Sequence, residues 1–307
     1  IQLTLEAGAE LRFAGDYGII VAGRLRVLGD LGWPVRFTSD LASPAPGDWS
    51  GIEILAPATD VVIDHALIDY AEHAVHIGAG AEAVVSNSEI RRSYDDAIWF
   101  DADSSGRVEG SHIHDNRTAG IYVGLRSAPD ITGNLITANQ YGIETRGDGN
   151  VANNPAPLAT GNDLYDNASY DYYSYNFGAP EATTLDARGN WWGTDDVLSI
   201  EDSVYDHQDR SSSPWVDFGG WLTGEGDTRF AYRLLNPRGA EQAARIIGYS
   251  DGGLIQGPVT DLYLDAYALG TLPVEDLAPG SRLSANMRFA VATEAPMGFV
   301  TLEDETG

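Results

Sequence analysis

The sequence predicts an all-β protein: a solenoid of short strands over residues 1–222, followed by a small β-rich C-terminal domain or cap over 225–307. Two observations carry this. Ile68, Ile90, Ile113, Ile136 and Leu164 recur at intervals of 22, 23, 23 and 28 residues, a period too short for a helical-hairpin repeat and suited to one coil of a solenoid. Within each unit a brief apolar alternation, a polar bend and a second short alternation follow one another, ending in a turn rich in Gly, Asn or Asp.

The coils read in order from the N-terminus. Residues 1–60 contain "LTLEAGAELRFAG", "GIIVAGRLRVLGD", "PVRFTSD" and "WSGIEIL", short strands separated by Gly, Pro or Asp that suit wider opening coils. The regular units follow as "VVSNSEIRRSYDDAIWF", "RVEGSHIHDNRTAGIYV" and "DITGNLITANQYGIET". Three residues after the repeated apolar position stand Ser93, Asn116, Asn139 and Asn167. An asparagine can satisfy nearby backbone groups and tolerates unusual dihedrals, so these residues are expected to stack as a polar ladder at one bend. Asn190 follows Asn162 by 28 residues, as Asn162 follows Asn134, which places "GNWWGT" at a bend where the regular units end. There, one of Trp191 and Trp192 is expected inside the last coil and the other over its edge, with Gly193 relieving crowding as the chain leaves. Beyond "LTGEGD" (222–227) the register is lost. "RFAYRLL", "GLIQGPV", "DLYLDAYALG", "NMRFAVA" and "GFVTLED" read as strands, and "GAEQAARIIG" as a short helix or a further strand.

Composition excludes several chemistries. Acidic residues number 46 against 18 basic ones, a formal charge of −28, which argues against nucleic acid and anionic membranes as partners. Every basic residue is arginine; without lysine there is no Schiff base and no lysine phosphate clamp. Without cysteine there are no thiolate nucleophiles, disulfides or thiolate metal sites. No apolar run of about 20 residues offers a membrane span. The acidic, cysteine-free composition fits an extracellular or cell-surface protein from a salty or calcium-rich medium, although a halophile's cytosolic protein would read similarly. The first residues already alternate like a strand, so a leader could have been removed ahead of them.

The repeats, together with the closing stretch "GNWWGTDDVLSIEDSVYDHQD…PWVDF" (189–218), resemble the right-handed parallel β-helix superfamily of pectin-lyase-like proteins over roughly residues 1–222. The resemblance implies three parallel sheets wound into a coil, commonly on extracellular proteins. It also implies functions from polysaccharide lyase, glycosidase and epimerase to non-catalytic adhesin, so fold alone does not select among them. The polygalacturonase-like catalytic set and the alginate-epimerase-like Tyr-Gly-Phe-Asp-Pro-His element are both missing, and no family catalytic residue transfers to this chain.

Three candidate surfaces remain. Taking Ile121 and Val123 as inward, His76, Trp99, Tyr122, Glu144 and Tyr173 form one outward column suited to an extended glycan; the alternative is an ordinary β-surface, or a floor covered by another part of the chain. A second column, Glu89, His112, Leu135 and Asp163 beside Arg91, His114, Thr137 and Tyr165, offers His112, His114, Arg91 and Tyr165 as groups for proton abstraction next to a uronate carboxylate. The alternative is repeat decoration, and Leu135 interrupts the polar run. Asp95, Asp96, Asp101 and Asp103 supply oxygen ligands near a tight turn that suit calcium, or else form a solvated acidic turn. The Arg-Gly-Asp triplet at 146–148 reads first as a turn between coils. The expected function is an extracellular polysaccharide-binding or polysaccharide-modifying protein, a calcium-assisted lyase or epimerase among the options; the alternative is a non-catalytic surface, structural or adhesion module whose partner is another surface protein.

Overall fold

The computed structural model describes residues 1–194 and 196–222, and the main chain of six strands between 230 and 302. Three parallel sheets run the length of the solenoid. Sheet I has nine strands, from Gln2–Glu6 through Ser105–Glu109 to Trp215–Asp217; sheet II has seven, from Glu10–Phe13 to Asp163–Tyr165; sheet III has eight, from Gly18–Val21 to Val204–Tyr205. Each coil contributes one strand to each sheet in turn. The coil containing residues 105–123, for example, supplies Ser105–Glu109, His112–His114 and Ala119–Val123.

The period-2 alternation explains the core. Alternate side chains of the strands point inward, so Val108, Ile113, Ile121 and Val123 of a single coil are fully buried. Parallel register then stacks like on like. Ile68, Ile90, Ile113, Ile136 and Leu164 pair in sequence along sheet II, while Val75, Ile98, Ile121 and Ile143 do so along sheet III. No single coil could bury this stripe; stacking makes it continuous. The opening coils are wider, as expected: Glu10 pairs with Arg36 and Gly18 with Gly51, separations of 26 and 33 residues. In the first coil Ile1, Leu3, Ile19, Ile20 and Val21 line an open apolar hollow of about 320 Å³.

Two of the three bends in each coil, from sheet I to II and from sheet II to III, are built in the same way. A left-handed residue turns the chain, and the next residue satisfies the neighbouring coil. Between sheets II and III the left-handed positions are Arg92, Asp115, Ala138 and Asp166, with φ between 55° and 57°. The asparagines follow them. Their contribution is therefore not tolerance of a strained dihedral but hydrogen bonding. Oδ1 of Asn116 accepts the Ser93 N–H at 2.9 Å, and Oδ1 of Asn139 accepts both the N–H and Nδ2–H of Asn116. Asn167 does the same for Asn139. The run ends when Asn167 donates to Asp171 at 2.8 Å. Burial pushes the Asp171 carboxyl up to about 6, against the pull of these donated bonds.

A second ladder runs at the bend between sheets I and II. Ser88, Ser111, Asn134 and Asn162 accept main-chain N–H groups from the coil before, at 3.0 to 3.2 Å. Asn190, 28 residues after Asn162 in the sequence, is fully buried, its Nδ2 donating to Ala187 O.

The chain falls into two compact units, Ile1–Asp186 with Asp202–Val216, and Ala187–Glu201 with Asp217–Gly307. In the second unit Trp192 is the buried indole, its ring 6.2 Å from Phe218, which lies 6.3 Å from the buried Trp221. Trp191 is half-buried and Gly193 takes φ +75°. A short helix, Val197–Ser203, stands where the sequence pattern suggests no regular structure. Asp196 Oδ2 caps it by accepting the Ser199 N–H at 3.1 Å.

The C-terminal unit is β-rich as expected. Strands Gly253–Val259, Ala244–Ser250, Phe230–Leu235 and Gly270–Leu272 form an antiparallel sheet in that order, and Ala285–Phe289 pairs with Gly298–Leu302 as a hairpin. "GAEQAARIIG" resolves as a strand from Ala244. Most of "DLYLDAYALG" lies outside the described residues, as does what would distinguish a sandwich from a cap.

Candidate functional site

Sheet III carries an outward column of the expected composition. Trp99 pairs with His76 and Tyr122, Tyr122 with Glu144, and Glu144 with Tyr173. Glu53 extends the column before His76, and Tyr205 after Tyr173. At about 4.8 Å per coil, His76 to Tyr205 spans about 24 Å.

The column is a continuous ring surface interrupted by one carboxyl. His76 stacks on Trp99 at 4.2 Å, with His73 at 4.9 Å from the same indole, and Tyr122 meets Trp99 edge-on at 6.1 Å. Beyond Glu144, Tyr173 is the hub of a tyrosine platform: Tyr141, Tyr205, Tyr175 and Tyr170 lie 4.6, 4.8, 5.0 and 5.6 Å from its ring. Tyr141, Tyr170, Tyr175 and Tyr205 lie outside the column expected from the sequence. The alternation "YDYYSY" and the 29-residue step from Tyr141 to Tyr170 carried the signal for the first three.

Tyr122 is flanked by small residues on its own strand. Its own strand offers only Ala119 on one side and is followed by Gly124 on the other, where an added Cβ would come 3.6 Å from the tyrosine ring. Two buried carboxyls border this spot. Asp96, one coil back, is 7% exposed and accepts the Ala119 N–H through Oδ1 at 3.0 Å. Glu144, one coil forward, is also 7% exposed and accepts the Tyr175 hydroxyl through Oε1 at 3.1 Å. Burial pushes Asp96 up to about 8, with the Asp95 and Glu144 charges adding to it, and pushes Glu144 up to about 7. The Arg146 guanidinium is drawn toward the Tyr175 and Tyr122 phenols and lies 5.7 Å from the Tyr175 ring. That engagement, together with Asp148 accepting from Asn150 and Asn153, holds the Arg-Gly-Asp triplet within a turn.

The sheet II candidates are paired among themselves. His112 and His114 stack at 3.9 Å, and Arg91 lies in register with His114, as expected. Arg91, however, hydrogen-bonds Glu89 and lies 3.5 Å from the buried Asp69, so its charge is already neutralised. His114 is taken by Asp115 at 2.7 Å and Glu89 at 3.4 Å. Burial and the His114 charge lower the His112 pKa. Tyr165 is a further two coils from His114, with Thr137 between, so the structure does not bring the four together.

The aspartates also separate. Asp103 pairs with Arg126 through both oxygens at 2.6 Å, Asp101 lies 3.7 Å from His76, and Asp95 lies 3.9 Å from His73. With Asp96 turned to Ala119, they form no common ligand set. Among the described residues no group of three or more His, Asp or Glu could hold a metal ion.

Comparison with known families agrees with this architecture. Residues 47–176 match the family model described as "Right handed beta helix region". The solenoid is therefore a right-handed parallel β-helix, and its three parallel sheets fit the pectin-lyase-like superfamily. A search of curated proteins finds no match to the chain. Among the described residues no helix is long and apolar enough to cross a membrane.

Proposed function

We propose that the protein binds an extended polysaccharide along sheet III and modifies it there, working outside the cell. The observation that carries this reading is the aligned column from His76 to Tyr205. Ring faces and edges there lie at stacking distance from one another, and phenol, carboxyl and imidazole groups between them supply hydrogen bonds. A parallel β-helix repeats this surface at one strand spacing per coil, which favours a linear ligand over a small one. Sheet II supports the assignment by contrast, since its charged groups are consumed by one another.

The test is affinity electrophoresis of the whole protein through gels containing neutral and uronic-acid polysaccharides. Retardation by at least one polysaccharide is expected, weakened tenfold or more by Trp99→Ala or Tyr173→Ala. Retardation untouched by both substitutions would remove the column from the account, and no retardation by any polysaccharide would refute the reading.

A further inference from the structure

Resting on that reading, we propose that Asp96 and Glu144 are the general acid and general base of a hydrolytic centre over Tyr122, acting on the glycosidic bonds of a neutral polysaccharide. The placement is the first argument. The two carboxyls come from the coils on either side of the strand Ala119–Val123, whose outward surface is low everywhere except at Tyr122. Glu144 follows Tyr122 directly along the solenoid axis, while Asp96 lies one coil back at the level of Ala119, so a sugar ring resting on Tyr122 would have Glu144 in line ahead of it and Asp96 diagonally behind it, beside Trp99.

Hydrogen bonding is the second argument. Each carboxyl is more than nine-tenths buried, yet only one of its oxygens has a hydrogen-bond partner in the fold: Asp96 Oδ1 from Ala119, Glu144 Oε1 from Tyr175. Among the described residues the second oxygen of each has none, and neither is sealed from solvent. A buried carboxyl with one open oxygen is costly for folding and useful for proton transfer. Burial also keeps both groups near the protonation balance that acid–base work at neutral pH requires.

The chemistry balances with water as the only co-reactant. Protonated Asp96 gives its proton to the bridging oxygen as the bond from that oxygen to the anomeric carbon breaks. A water oxygen bonds to the anomeric carbon and its proton passes to Glu144. The products are two shorter chains, one with a new reducing end, and proton exchange with solvent restores the pair. Tyr175, donating to Glu144, positions the base.

Charge selects the substrate class. Near the centre stand Asp95 and Asp101 as well as the pair itself, with Glu53 three coils before Tyr122; the nearby Arg146 is engaged with Tyr122 and Tyr175. A uronate carboxylate would meet like charge in a chain of net charge −28. A neutral sugar would not.

The experiment incubates the whole protein with neutral glucan, mannan, xylan and galactan, and with polygalacturonate and alginate, and follows reducing ends and ultraviolet-absorbing unsaturated uronates. Reducing ends are expected from at least one neutral polysaccharide, without unsaturated product. Asp96→Asn and Glu144→Gln should each lower kcat at least about 100-fold while gel retardation by the same polysaccharide persists; retained binding also shows that the variants are folded. The rate should follow a bell-shaped pH profile, with each substitution removing one limb. Retardation without turnover of any neutral polysaccharide would overturn the inference and leave the binding reading standing, as would turnover indifferent to both substitutions or release of unsaturated uronates. Absence of retardation by any polysaccharide would remove both.

Discussion

Asn116 and Asn139 are joined along the solenoid axis by two hydrogen bonds to one atom: Oδ1 of Asn139 accepts the main-chain N–H of Asn116 at 3.1 Å and its Nδ2–H at 2.8 Å. Asn139 in turn donates through Nδ2 to the carbonyl of Ile113 at 3.1 Å and to Asn167 at 3.0 Å. Asn139→Ala therefore leaves a buried N–H and a buried carbonyl unpaired. Unfolding in urea is expected to show a loss of about 2 to 4 kcal/mol, the cost of two buried groups without partners. Asn139→Asp keeps the acceptor but loses both donors and buries a charge, so it should cost at least as much at pH 7 and recover stability as pH falls.

Stability should decline from mildly acidic to mildly alkaline pH. Asp96, Glu144 and Asp171 have folded pKa values raised to about 8, 7 and 6, from ordinary values of 3.8, 4.5 and 3.8. Between each pair of values the folded state holds more protons than the unfolded one, so stability falls as pH rises through that window. Below the ordinary values both states are protonated and these groups contribute no slope. Urea midpoints between pH 5 and 8 should drop, and Asp96→Asn should remove at least about 1 kcal/mol of that drop, the worth of one pKa unit.

Arg91 is a stability residue. Its charge offsets the buried Asp69 at 3.5 Å and it hydrogen-bonds the partly exposed Glu89, so Arg91→Ala is expected to cost about 2 kcal/mol in urea unfolding. Retardation and turnover at permissive temperature should be unchanged. A loss of glycan binding with unaltered stability would return sheet II to the functional account.

Close coil packing predicts an intolerant glycine. Gly51 has φ +99°, and a Cβ there would lie 1.7 Å from the His73 carbonyl oxygen in the next coil. Gly51→Ala must push the Trp49–Ile54 strand off its neighbour Ala71–Ile77, and thermal unfolding should show a loss of about 3 kcal/mol or more.

Much of this was legible in the sequence because a solenoid writes its tertiary contacts as a period. The 23-residue step that aligns Ile90 with Ile113 also fixes Trp99 against Tyr122 and Ser93 against Asn116, so the outward column and one polar ladder could be read directly. The second ladder was only half visible, because serine replaces asparagine at 88 and 111. In sequence Asp96 reads with Asp95, Asp101 and Asp103 as a set of calcium ligands or as a solvated acidic turn; that it turns to the Ala119 amide while Arg126 takes Asp103 depends on side-chain direction, which the pattern does not carry. Arg91 and Asp69 are register partners, so the 22-residue step that aligns Ile68 with Ile90 already carries their pairing, and the structure adds that the two side chains meet. The Val197–Ser203 helix is a short capped turn with no period to announce it.

The most direct test of the central claim compares three proteins in gels containing neutral polysaccharides: the parent, Trp99→Ala on sheet III and His112→Ala on sheet II. The account predicts that one or more polysaccharides retard the parent and His112→Ala equally, and that Trp99→Ala migrates as if the polysaccharide were absent. Equal retardation of all three, or loss confined to His112→Ala, would contradict it.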